Sequence, residues 1–218
     1  MNIALLLLKN KFEMKYTFLL TLFFMFSSCK KEKKELVEVK QVSSEFILEF
    51  LNEILADTSE SSYFDSKVQL VSNYSIMLPD RFLNGTIEDP SKEFYSLVDY
   101  ISFHLKTEDT SYVFNQFQQN KELNLNKLSK YGYKMFDKKK CFDNNLKYDS
   151  ILKLIIIENK KYNFVPKYDL LTVSKPLFNK QQNLAYIRFQ RGFGGETVIF
   201  EKKNNKWKFK EILSSWVE

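Results

Sequence analysis

LAYIRFQRGFGGETVIFEKKNNKWKFKEILSSWV, residues 184–217, decides the architecture of this chain. Apolar and polar residues alternate along it, the period of a strand with one face turned toward a core. Two turn signals cut it, at RGFGG (191–195) and at KNN (203–205). Three strands joined by short hairpins make an antiparallel meander. The inward positions are Ala185, Ile187, Phe189, Val198, Phe200, Trp207 and Phe209. The alternation slips near Glu211, where Ile212 and Trp216 fall on the other parity, and a bulge accounts for the slip. Upstream, NKQQN (179–183) reads as a turn and DLLTV (169–173) as a further strand. LKLIII (152–157) also reads as a strand, a buried one, which places the change from helical to strand period near residue 150.

Helices precede the meander. Phe46, Ile47, Phe50, Leu51, Ile54 and Leu55 recur at helical spacing, with Glu45, Glu49 and Asn52 opposite and Ser43 or Ser44 as the cap. Asp89-Pro90 reads as the start of a second helix that turns Phe94, Leu97, Val98, Ile101 and Leu105 to one side. Asp109 or Thr110 caps a third, carrying Val113, Phe114 and Phe117. Residues 67–78 take a strand reading. The expected fold class is α+β, with N-terminal helices packed on a C-terminal antiparallel β-meander in a single domain over 43–218.

The chain has 218 residues, 44% apolar and 28% charged, which is ordinary for a packed globular body. Its net charge of +6 suggests nucleic acid until the charges are located. Lys9, Lys11 and Lys15 outweigh Glu13 in the leader. Lys30, Lys31, Lys33 and Lys34 outweigh Glu32 and Glu35 just after it. The body is left nearly balanced, without the concentrated basic face that phosphate backbones require. No nucleic-acid partner is expected.

From Met14 the sequence reads MKYTFLLTLFFMFSSC. Lys15 gives a short positive segment, Tyr16 to Phe26 an apolar run too short to span a bilayer, and Ser27-Ser28 a small-residue cleavage site before Cys29. Residues 1–13 (MNIALLLLKNKFE) fit this pattern poorly, so translation is expected to begin at Met14. Phe26, Ser27, Ser28 and Cys29 resemble the lipobox of bacterial lipoproteins, with Phe26 standing where an aliphatic residue is usual. The resemblance implies cleavage between Ser28 and Cys29 and lipidation of the Cys29 thiol, with acyl chains such as palmitate holding the chain on a lipid bilayer. Residues 1–28 are then a signal peptide and 29–42 a lipidated, charged tether. Lys30 after the cysteine favours the outer membrane of the cell envelope, on either its periplasmic or its surface face.

VSKPLFN (173–179), RGFGGE (191–196) and FEKKNNKWKFKEI (200–212) resemble a pattern in small Bacteroidota lipoproteins. Those carry a Ser-x-Pro-x-Phe segment, a glycine-rich hairpin and a strand ending in Asn-x-Lys-Trp-Lys. The likeness covers about the last fifty residues and implies a shared meander without implying an activity.

Candidate chemistry is sparse. Gly192, Gly194 and Gly195 have strands on both sides, so they read as positive-φ turn residues and not as a phosphate cradle. His104 is the single histidine, which removes multi-histidine metal sites, and no G-x-S-x-G elbow is present. Glu108 and Asp109 are adjacent carboxylates, but Asp109 already serves as a cap. Cys141, in DKKKCFDNN, reads as an inert, partly buried thiol, although the neighbouring lysines would favour a thiolate. No catalytic, cofactor-binding or metal-binding residue is assigned, and no cofactor is expected. Arg188, Arg191 and Phe193 form a candidate contact rim at the glycine hairpin, next to Glu196. The expectation is a membrane-tethered envelope lipoprotein acting as a binding module for a protein, a glycan or a wall component. The alternative is an envelope hydrolase built around His104 or converging carboxylates, and fold analogy adds a ligand-holding α+β cone.

Overall fold

The computed structural model describes residues 42–56, 69–76, 87–89, 92–94, 96–119, 123–165 and 169–217. The leader and nearly all of the tether, residues 1–41, lie outside these. Residues 40–218 cluster as one compact unit.

Helix α1 (Ser44–Ala56) leads into β1 (Leu70–Ser72) and the hairpin β2 (Ile87–Asp89) and β3 (Lys92–Phe94). Then come α2 (Leu97–His104), α3 (Thr110–Gln119), a 3₁₀ helix at Leu125–Tyr131, β4 (Lys134–Phe136), α4 (Lys138–Asp143) and α5 (Tyr148–Lys161). The last section is all strand: β5 (Leu170–Val173), β6 (Leu177–Phe178), β7 (Leu184–Arg191), β8 (Gly194–Lys203) and β9 (Lys206–Val217). The class is α+β. A seven-stranded sheet runs β4-β1-β5-β7-β8-β9, with β6 continuing the β5 side of β7. The meander is antiparallel as expected, but β1 pairs in parallel with both β4 and β5, so the whole sheet is mixed.

All seven inward positions read from residues 184–217 face one cluster, with Phe209 partly buried at its margin. α1 lies on that face, presenting Ile47, Leu48, Phe50, Leu51, Ile54 and Leu55. Phe50 sits edge-on to Phe178, Phe200 and Trp207 at 5.1, 5.9 and 4.8 Å. The intervening strand positions are not in solvent. Leu177, Leu184, Tyr186 and Ile199 meet α2 and α3 on the opposite face, and Leu70 and Leu170 meet α4 and α5 there. The sheet is therefore covered on both sides, which explains why β5 is buried at every position.

The hairpins follow their residues. Gly192-Phe193 joins β7 to β8 with φ +57° at the glycine, the position a type II′ turn gives to glycine. Asn204-Asn205 joins β8 to β9 with φ +51° and +60°, the type I′ pattern that asparagine tolerates. The expected irregularity in β9 is present, since the register shifts as Lys210 and again Leu213 are passed over.

Several expectations are corrected. LKLIII is part of helix α5, not a strand. Its inward residues are Ile151, Ile155 and Asn159, four apart, while Leu154 and Ile157 stand exposed. A run of consecutive apolar residues has no period of its own, and the helix declares itself only over all fourteen residues. Asp89 ends a strand and does not start a helix. The helix cap is Ser96, whose hydroxyl oxygen accepts from the Asp99 amide at 3.1 Å and donates to the Asp99 carboxylate at 2.8 Å. Phe94 nonetheless joins the α2 cluster, from a strand. In α3, Asp109 is the cap and Val113 is buried, but Phe114 is exposed and Gln116 points inward in its place.

Val42, read as the last tether residue, is 3% exposed and belongs to the core. It precedes the cap Ser43, which accepts from the Phe46 amide at 3.1 Å, and shares a cluster with Ile47, the arrangement of a hydrophobic staple.

Candidate functional site

The glycine hairpin is where the sequence placed a contact rim, and the structure divides that rim. Arg188 and Arg191 are three apart on β7 and so leave opposite faces of the sheet. The Arg188 guanidinium lies 4.6 Å from the Trp216 ring centroid. Arg191 pairs through Nε with the buried Asp169 carboxylate, which ties the end of β7 to the start of β5. Neither arginine joins Phe193, which stands 52% exposed at the hairpin tip.

Gly194 and Gly195 are strand residues, a correction to their reading as turn residues; among the three, positive φ belongs to Gly192. Gly195 answers to a different constraint. A side chain there would run into Cζ2 of Trp216 and the carbonyl oxygen of Phe189. Its missing Cβ is what lets the Trp216 ring lie down on the sheet beneath Arg188.

Phe193 borders a groove on the α5 side of the sheet, with a cavity of about 210 Å³. Ile151 and Ile155 of α5 and Leu170 of β5 give it a buried apolar floor. Phe142 (45% exposed), Tyr148 (62% exposed) and Phe193 stand at its mouth. Phe142 is held edge-on to Tyr74 at 5.3 Å, and the Lys138 ammonium lies 5.8 Å from its ring centroid. Asp137 caps α4 and organises this corner. Its carboxylate accepts from the Lys140 amide at 3.0 Å and the Asn73 side-chain amide at 2.7 Å, and these bonds hold its pKa below the ordinary carboxylate value.

Two polar side chains enter the groove from the sheet. Thr172 of β5 and Gln190 of β7 are direct cross-strand partners, and both line the cavity. Thr172 is 3% exposed. Neither side chain has a hydrogen-bond partner among the described residues. Sequence reasoning missed Phe142, Tyr148, Thr172 and Gln190 as a group. One signal was present. Along one face of β7 the residues pass from Leu184 and Tyr186 to Arg188 and Gln190, and the change to polar residues marks where the α2–α3 cover ends.

A second concavity of about 340 Å³ opens at the same end of the sheet, lined by Phe189, Arg191, Glu196 and Trp216 among others. Burial raises the pKa of Glu196 above the usual carboxylate value.

The remaining sequence candidates lie elsewhere. His104 ends α2, its ring edge-on to Tyr100 at 4.6 Å and to Phe103 at 5.3 Å. Cys141 is buried with Leu70, Phe136, Ile151, Ile155 and Leu170, a different cluster from that of α2. Its thiol approaches the Asp137 carbonyl oxygen at 3.5 Å, and burial pushes its pKa up. The thiolate that the flanking lysines suggested is thereby disfavoured. Asp109 pairs with Lys180 at 2.7 Å and caps α3, so it does not face Glu108 as a catalytic partner. Among the described residues no group of three or more His, Cys, Asp or Glu is placed to hold a metal ion, and no helix is long and apolar enough to cross a membrane.

No protein-family model, curated protein or solved structure matches this chain.

Proposed function

We propose that this chain is a lipid-anchored protein of the bacterial cell envelope whose folded domain is a binding module, with the groove beside Phe193 as its contact site. The observation that carries the binding reading is three exposed aromatic rings, Phe142, Tyr148 and Phe193, gathered from α4, α5 and a hairpin tip around one apolar cavity. Aromatic side chains left in water around a concave floor are the usual make-up of a ligand or partner site. Support for the anchor lies in the sequence FSSC (26–29) after a short apolar run. The likeness of residues 173–212 to small Bacteroidota lipoproteins agrees with that address.

The anchor has a direct test. Mass spectrometry of the mature protein is expected to find Cys29 as the first residue with diacylglycerol on its sulfur. Cys29→Ser is expected to move the protein from the membrane pellet to the soluble fraction. An unmodified sulfur on a membrane-bound chain would overturn the proposal.

A further inference from the structure

The groove's polar groups specify a ligand more narrowly than its aromatic rim does. We propose that it binds one neutral sugar ring of a glycan, an inference that rests on the binding-module reading and names its ligand class.

Thr172 is 3% exposed, but its hydroxyl is not one of the sealed polar atoms that lack a partner, so it keeps access to water in the groove. It has no protein partner among the described residues and it lines the cavity, so a ligand entering there would replace water on it. Gln190, directly opposite on β7, adds a carbonyl acceptor and an amide donor at the same level. Together they offer donors and acceptors within one residue pair. A ligand that answers both must itself donate and accept, as a hydroxyl does.

The rest of the groove sets the ligand's body. Phe142, Tyr148 and Phe193 all line the groove and are well exposed. A pyranose has an apolar C–H face that packs on aromatic rings and a rim of hydroxyls that does not. That division matches aromatic walls above a hydroxyl and an amide. An apolar side chain filling the groove would leave the Thr172 hydroxyl and the Gln190 amide unanswered, whereas the ring hydroxyls of a sugar supply a donor and an acceptor at one atom.

Charge gives no strong preference for an acidic sugar. Among the described residues lining the groove the one formal charge is Lys138, whose ammonium already lies toward the Phe142 ring and makes further contacts. A cavity of about 210 Å³ is small for a drug-sized ligand and suits a single ring, with the remainder of a chain running out over the exposed rims.

The full-length protein in lipid nanodiscs can be titrated with two neutral disaccharides, cellobiose and N,N′-diacetylchitobiose, observed by saturation-transfer NMR. Thr172→Val keeps the shape of the side chain and removes its hydroxyl; Gln190→Leu and Phe193→Ala remove the amide and the exposed ring. Circular dichroism checks that each variant folds. Binding of either sugar, weakened roughly fivefold to tenfold by Thr172→Val and by Phe193→Ala, upholds the proposal. Preference for the N-acetylated probe would point to amino-sugar wall polymers, and preference for cellobiose to another neutral polysaccharide. Sugar binding that ignores all three substitutions would overturn the site. A photo-crosslinking residue at position 193 in intact cells separates the remaining failures. If neither sugar binds and the probe captures a protein, the sugar assignment falls and the binding module stands. If neither sugar binds and nothing is captured, both fall.

Discussion

Gly195 and Trp216 face each other across β8 and β9, and their fit is close enough that the glycine's missing side chain is structural. Gly195→Ala would force Trp216 or the Phe189 carbonyl to move and would disturb the Arg188 stack. Overpacking of this kind costs about 1–3 kcal/mol, so urea denaturation of the variant is expected to show a loss of that size. From sequence alone Gly195 could not be told from a turn glycine, because the tryptophan that excludes a side chain lies twenty-one residues on. Cys141 gives a second residue-scale prediction. Its thiol is buried and its pKa is raised, so little thiolate is present at pH 8. Alkylation by iodoacetamide should be slow in the native protein and fast in denaturant. Rapid modification of the native protein would contradict the packing seen around it.

At the scale of elements, α3 is pinned to the β5–β6 segment by a small polar assembly. The Gln116 side chain accepts from the Phe178 amide at 3.0 Å and donates to its carbonyl at 2.7 Å, imitating a neighbouring strand. Lys175 donates to the Gln116 carbonyl oxygen at 2.6 Å. It is buried, no carboxylate pairs with it among the described residues, and desolvation lowers its pKa from the ordinary 10.5 to about 7. The linkage has a definite sign. Between pH 7 and 10.5 the unfolded chain holds a proton that the native chain lacks, so this group makes folding more favourable as the pH rises. Below pH 7 both states carry the charge, and burying it opposes folding. Lys175→Met is therefore expected to be more stable than the parent at pH 6, with the advantage shrinking toward pH 9.5. Urea midpoints at the two pH values check it. Tyr112 and Tyr186, whose pKa values burial raises from 10.0, bring the opposite slope from about pH 10 upward, beyond the two pH values compared. None of this assembly was visible in the sequence, where no motif singles out Gln116 or Lys175. α5 was missed for a different reason. Its core side holds only Ile151, Ile155 and Asn159, while the run 152–157, apolar except for Lys153, imitates a strand. Local composition outweighed period there.

Over the whole molecule, what could be read was what lies close in sequence. The meander, its inward residues, its two hairpins and the irregularity of β9 all arise from neighbouring segments. The parallel insertion of β1 between β4 and β5 joins residues 70–72 to 134–136 and 70–71 to 170–171, and three-residue strands carry no pattern that announces such partners. The groove has the same origin. Phe142, Tyr148, Thr172, Gln190 and Phe193 come from four elements and a turn, and only Phe193 declared itself, as an apolar residue between glycines.

The burial of α1 has a consequence for how the chain is made. Its greasy side is the first part of the domain to leave the ribosome, yet the residues that cover it reach to Trp207, near the end of synthesis. Until then Ile47, Phe50, Leu51 and Ile54 have only part of their native surface, chiefly Val71, Leu125 and Leu128, and a polypeptide paused midway leaves them incompletely covered. Such a protein depends on a holding chaperone, or on speed, for nearly its whole translation.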